Sequence, residues 1–123
     1  MKIEHHLEKK RRFEKTMGKL DKEEDYETLI EDYMLASAHL INAAMHSLKT
    51  VPQDKDIKHN QLSGTLARER SLGERSGEVA SLIQALDQLR PSHVYGKGEN
   101  GATCDKAKEC FEKIKNICEG LLK

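Results

Sequence analysis

Residues 22–49 carry the feature that most constrains what this chain can fold into. Tyr26, Leu29, Ile30, Tyr33, Ser37, Leu40, Ile41, Ala44 and Leu48 recur there at the i, i+3, i+4, i+7 spacing of a helix that buries one stripe. Glu23, Glu24 and Asp25 stand in the first turn and Lys49 in the last, which complements the helix dipole. Such a helix is about 40 Å long, enough to span a small domain, so other segments must pack along it. Val51-Pro52 closes it, because a residue before proline avoids the α region.

The same period runs through the rest of the chain. Residues 3–20 place Ile3, Leu7, Phe13, Met17 and Leu20 on one face, but His6 and Lys10 fall within that stripe and predict loose packing. Gly18 frays the end of this helix, and Asp21 is placed to cap the next. Asp56 is placed to cap a third helix through Arg68, with Ile57, Leu62 and Leu66. Residues 69–77, with Gly73 and Gly77, read as a loop. A fourth helix, 76–89, has Ser76 as its cap, carries Val79, Leu82, Ile83, Leu86 and Leu89, and stops before Pro91. After a glycine-rich loop, residues 103–122 align Ala107, Cys110, Phe111, Ile114, Ile117, Cys118 and Leu121. The expectation is one all-α domain over 1–123, an up-and-down bundle of four to five helices. Its 123 residues suit one domain, and two Pro, no Trp and five Tyr and Phe argue against a β-sandwich.

Charge narrows the function classes. Lys+Arg and Asp+Glu both number 21, so the chain lacks the overall field of a general nucleic-acid or membrane binder. Two local basic groups remain, Lys9-Lys10-Arg11-Arg12 wrapped round the first helix and a looser set of Arg68, Arg70, Arg75 and Arg90. No apolar run approaches the roughly 18 residues of a membrane span, and residues 1–6 lack a secretory core, so a cytoplasmic protein is expected. Cys104, Cys110 and Cys118 are odd in number without C-x-x-C spacing, and read as reduced helix residues.

Metal and cofactor chemistry is not expected. A di-metal bundle needs Glu-x-x-His pairs, and here Met34 follows three residues after Glu31 and Ile30 three after Glu27. His39 and His46, seven apart, share the face opposite the Leu29–Leu40–Leu48 stripe and read as solvated or interface histidines. With Leu35, Ala38, Asn42 and Met45, that milder face predicts a two-fold homodimer interface. Residues 96–101 match G-x-G-x-x-G, but the dinucleotide fingerprint requires a preceding strand. This loop is instead a connector leading to a helix N-terminus, where backbone N–H groups can hold a phosphate.

The most specific segment is Leu89-Arg90-Pro91-Ser92-His93-Val94-Tyr95-Gly96, between one helix and an amphipathic one rich in Ala and Lys. Together with the long helix at 22–49 and the segment DIKHNQL at 56–62, it resembles the HEPN superfamily. These are small all-α prokaryotic domains that dimerise and often pair with a nucleotidyltransferase. The resemblance implies a module that binds nucleotide or RNA, or serves such a partner. Active members cleave RNA without metal through an Arg and a His separated by four to six residues. Here only Pro91 and Ser92 separate Arg90 from His93, which fits a non-catalytic member. The competing readings are a ribonuclease using Arg90 and His93 as catalytic residues, and an interaction module with no small ligand. In the binding reading Arg90 forks onto a phosphate and Tyr95 stacks on a base. Lys97 and the N–H groups around Gly98 and Gly101 complete the anion site.

Overall fold

The helix at the centre is buried over most of its circumference, not along one stripe. In the computed structural model, which describes residues 1–90 and 100–122, this helix is α2 (Tyr26–Ser47), and 15 of its 22 residues are buried. Leu29, Ile30, Tyr33, Ser37, Leu40, Ile41 and Ala44 are buried as the spacing predicts. So are Ala38, Asn42, Met45 and His46 on the face expected to be milder, while Leu35 and His39 there are half-buried. That face therefore lies largely inside the chain, under α1 (Ile3–Met17) and the 48–58 connection, and most of it is not available as the expected dimer interface. Leu48, expected at the end of the core stripe, is 37% exposed.

The other helices are α3 (Leu62–Glu69), α4 (Ser76–Gln88) and α5 (Asn100–Leu121), with one-turn 3₁₀ segments at His59–Gln61 and Gly73–Arg75. The fold is an all-α bundle with no strand among the described residues. α2 packs against α1, α4 and α5, while α3 joins the bundle chiefly through α4. Phe111, Ile114 and Cys118 of α5 and Val79, Ile83 and Leu86 of α4 fill the apolar side. Tyr33 tilts against Phe111 with ring centroids 5.5 Å apart. No described helix is long and apolar enough to cross a membrane.

Several boundaries shift for identifiable reasons. Asp21 caps a separate turn instead of α2, accepting from the backbone N–H groups of Glu23 (2.8 Å) and Glu24 (3.0 Å). α2 ends before Pro52 is reached. Lys49 takes a left-handed conformation (φ 61°), and the N–H groups of Lys49 and Thr50 donate to the carbonyls of His46 and Met45. These are the paired bonds of a Schellman motif, with Lys where Gly is commoner. The third helix starts at Leu62, six residues past Asp56, which is therefore not its cap. Ser76 accepts from Leu72 N–H at 2.7 Å, tying the 3₁₀ turn to the start of α4. All three cysteines are free, and burial pushes the Cys104 thiol to about 11 and the Cys118 thiol to about 12, which leaves both unreactive.

α1 inverts its predicted pattern. Its buried residues are His6 and Lys10, the two that break the apolar stripe, whereas Leu7, Phe13 and Met17 are only half-buried. Lys10 Nζ lies 2.7 Å from Glu14 and 3.6 Å from Glu119, and Lys115 of α5 donates to Glu14 at 2.6 Å. Burial raises the Glu14 carboxyl pKa, but the two ammonium groups outweigh it and hold the group below 4.5.

Two expectations follow. Leu40→Ala or Ile41→Ala removes a fully buried side chain and should cost about 2–5 kcal/mol, whereas Leu35→Ala, half-exposed, should cost well under half of that; urea midpoints give the comparison. The lowered Glu14 pKa means its stabilisation is present above pH 4.5 and lost as pH falls through the folded value. In acid titrations followed by helical circular dichroism, Glu14→Gln should lose part of that dependence, and an unchanged slope would remove Glu14 from the account of α1 docking.

Candidate functional site

Arg90 follows α4, two residues beyond its last, and its fork is closed on carboxylates. Nε donates to Glu31 Oε1 at 2.8 Å, a terminal nitrogen donates to Glu31 Oε2 at 3.0 Å, and the other donates to Asp87 at 3.1 Å. The bond to Glu31, with that to Asp87, raises its already high pKa. Gly101 lies in the first turn of α5, and a Cβ there would run into the Glu23 carboxylate and Lys22, so its missing side chain lets the 21–25 turn approach. His93, Tyr95, Lys97 and Gly98 lie outside the described residues. The basic groups are partly neutralised: Arg11 and Arg12 both pair with Glu8, and Arg75 with Glu78.

A second constellation, not anticipated as a site, sits where α1, α2 and the 48–58 connection meet. α1 supplies His6, α2 supplies His39 and His46 two turns apart, and the connection returns along α2 to bring in Asp56. The left-handed turn at Lys49 starts that return, and Asn42 fixes its far end. Asn42 Nδ2 donates to the carbonyls of Ala38 and Ile57 at 3.0 Å each, and its Oδ1 accepts from Ile57 N–H at 2.9 Å. Both backbone groups next to Asp56 are thus held by one buried side chain.

Within the cluster, His6 Nε2 and His46 Nε2 each lie 2.9 Å from the same oxygen, Asp56 Oδ1. His6 Nδ1 lies 2.9 Å from His39 Nδ1, and His46 Nδ1 lies 2.9 Å from the Val51 carbonyl oxygen. The His6 ring centroid is 5.2 Å from those of His39 and His46, and Phe13 stacks on the outer face of His39 at 6.0 Å. The Met1 amino group is 3.2 Å from both Asp56 oxygens and also donates to the Gln53 carbonyl. The His6 and His46 side chains are 2% and 0% exposed, while Asp56 is 36% exposed, so the cluster opens to solvent on its carboxylate side.

The electrostatics match this geometry. Burial alone would raise the Asp56 carboxyl, but hydrogen bonds from His46, His6 and the Met1 amine hold it at about 2. Burial lowers His6 against the pull of Asp56. It also lowers His39 to about 4, with His6 and Lys9 nearby adding to the effect. Two imidazole nitrogens and a carboxylate oxygen, one from each of His6, His46 and Asp56, all lie within 4.8 Å of one another, a donor set suited to a cation.

Comparison with models of protein families, with curated proteins and with solved structures gives no match. Function therefore has to be argued from the residues. The sequence did carry a trace of the cluster: His6 and Lys10 in an otherwise apolar stripe, and His39, Asn42 and His46 on one α2 face. A polar face on a helix already apolar opposite is ordinarily solvated, and that reading fails here because α1 covers it.

Asn42→Ala leaves the part-buried N–H and C=O of Ile57 without their partner and should cost about 1–3 kcal/mol. The check is the denaturation midpoint, with backbone amide exchange at Ile57 rising selectively. Exchange at Ile57 that stays unchanged would show the connection is held by something else.

Proposed function

We propose that this chain is a helical binding module without ribonuclease activity, of the kind that a HEPN-like layout with a shortened Arg-to-His spacing implies. The observation that carries the reading is the state of Arg90. Both terminal nitrogens and Nε are engaged by Glu31 and Asp87, so the guanidinium that would have to face a scissile phosphate serves the fold. In this reading the segment 91–99, with His93, Tyr95 and Lys97, supplies the contact to a nucleotide, to RNA or to a nucleotidyltransferase partner. Pairing with a second copy belongs to the same proposal and uses a face other than the buried one of α2.

The test combines cleavage, binding and stability. The pure chain should leave mixed RNA intact with or without EDTA. Lys97→Ala and Tyr95→Ala should weaken fluorescence-anisotropy binding of nucleotide or RNA several-fold without moving the melting temperature. Arg90→Ala should instead destabilise the chain by about 1–2 kcal/mol, since a half-buried bidentate pair lies between surface and buried pairs. Arg90→Lys should recover only part of that loss, because an ammonium cannot span both Glu31 oxygens. RNA cleavage that Arg90→Lys abolishes at unchanged stability would overturn the reading in favour of a ribonuclease. A chain that binds neither nucleotide nor RNA would leave the module with protein partners alone.

A further inference from the structure

At the junction of α1, α2 and the 48–58 connection, ring nitrogens from two helices converge on one carboxylate oxygen. The Val51 carbonyl can only accept, so His46 Nδ1, 2.9 Å away, donates to it. That bond turns His46 Nε2 toward Asp56 Oδ1, 2.9 Å away, and the same oxygen faces His6 Nε2 at the same distance. Two imidazole nitrogens and a carboxylate meeting at one point is an arrangement that ligates a cation.

We propose that His6, His46 and Asp56 form a binding site for one divalent transition-metal ion of the zinc class, ligated by the two Nε2 atoms and a carboxylate oxygen. The donor set selects the ion class. Two imidazoles with one carboxylate suit zinc, cobalt and nickel, whereas magnesium and calcium require oxygen ligands. The scale fits as well. Ligand bonds of about 2.0–2.1 Å in a tetrahedron set neighbouring donor atoms about 3.3 Å apart. The two 2.9 Å contacts need to open by only a few tenths of an ångström, and all three donors already lie within 4.8 Å of one another.

The supporting shell is that of a metal site. Ligating histidines ordinarily fix their second nitrogen on a carbonyl, carboxylate or water. His46 does so on Val51, while His6 has His39 Nδ1 at 2.9 Å, able to accept its Nδ1 hydrogen. Asn42 holds Ile57, and through it the position of Asp56. The ligands come from three separate segments, so an ion there ties α1 and the 48–58 connection to α2. Positions left open by three protein ligands face the exposed side of Asp56, where the Met1 amino group now sits and would be displaced.

The experiment uses the full, tag-free chain, stripped with EDTA and exchanged into chelator-free buffer. Cobalt(II) is titrated while the visible d–d bands are followed, and zinc is then added to displace it. The expected result is one ion per chain, intense bands of a four- or five-coordinate centre, their loss on zinc addition, and a zinc-dependent rise in melting temperature. His6→Gln and Asp56→Asn should each lower cobalt affinity at least tenfold, with circular dichroism confirming that the variants remain helical. His5→Gln, on the exposed side of α1, serves as the control and should change nothing. His39→Ala keeps all three ligands and should weaken binding less than either of them. A parent that binds no cobalt or zinc overturns the proposal. Binding that survives both His6→Gln and Asp56→Asn overturns it equally, because the ion then sits on surface histidines.

Discussion

Burial of α2 on two opposite sides is the constraint on which the other elements depend. A helix with 15 of 22 residues inside needs neighbours around most of its circumference, and a 123-residue chain supplies them by wrapping. α4 and α5 take the apolar side, while α1 and the 48–58 connection take the other. Ala36, Ala38, Ala43 and Ala44 keep the central helix thin enough for close approach. This is how a chain only 37% hydrophobic still forms a contiguous core: one helix is shared by α1, α4 and α5, and few large apolar residues are exposed.

The two sides of α2 are held by different forces. Toward α5 the contact is Leu, Ile, Phe and Cys, where each buried side chain contributes through area and close packing. Toward α1 and the connection it runs through His39, Asn42 and His46. Hydrogen bonds there add only about 0.5–1.5 kcal/mol each in net terms, yet leaving one unmade costs more. The polar side therefore adds little stability but fixes position strictly. α1 packs Leu7, Phe13 and Met17 against the core, and its two buried residues, His6 and Lys10, add partners it must meet in register.

This division explains which parts of the structure were legible in sequence. Helix existence and order came through because the apolar residues of α2, α4 and α5 keep a 3.6 period over three turns or more. Periodicity assumes one face in and one face out, and α2 has two interior faces. Its second face reads as surface because His39, Asn42 and His46 are polar, and nothing local records that α1 covers them. Asp56 before Ile57 has the pattern of an N-cap, and only the fold shows that its oxygens go to His6 and His46 instead. Arg90 was legible as a special residue, but its partner Glu31 lies 59 positions away.

Arg90 and Asp56 are both charged groups in part-buried settings, and the way each is satisfied separates a clamp from a site. At Arg90 all three nitrogens donate to carboxylate oxygens, and the charges of Glu31 and Asp87 face a cation. Around Asp56 the partners are imidazoles and an amine: its Oδ1 meets His6 Nε2 and His46 Nε2 at 2.9 Å, and the Met1 amino group lies 3.2 Å from both its oxygens. Its solvent-facing side leaves room for further partners. A group whose needs are met within the chain positions helices. The cluster at Asp56 instead brings donors from three segments onto one solvent-open carboxylate, and the proposed ion site rests on that convergence.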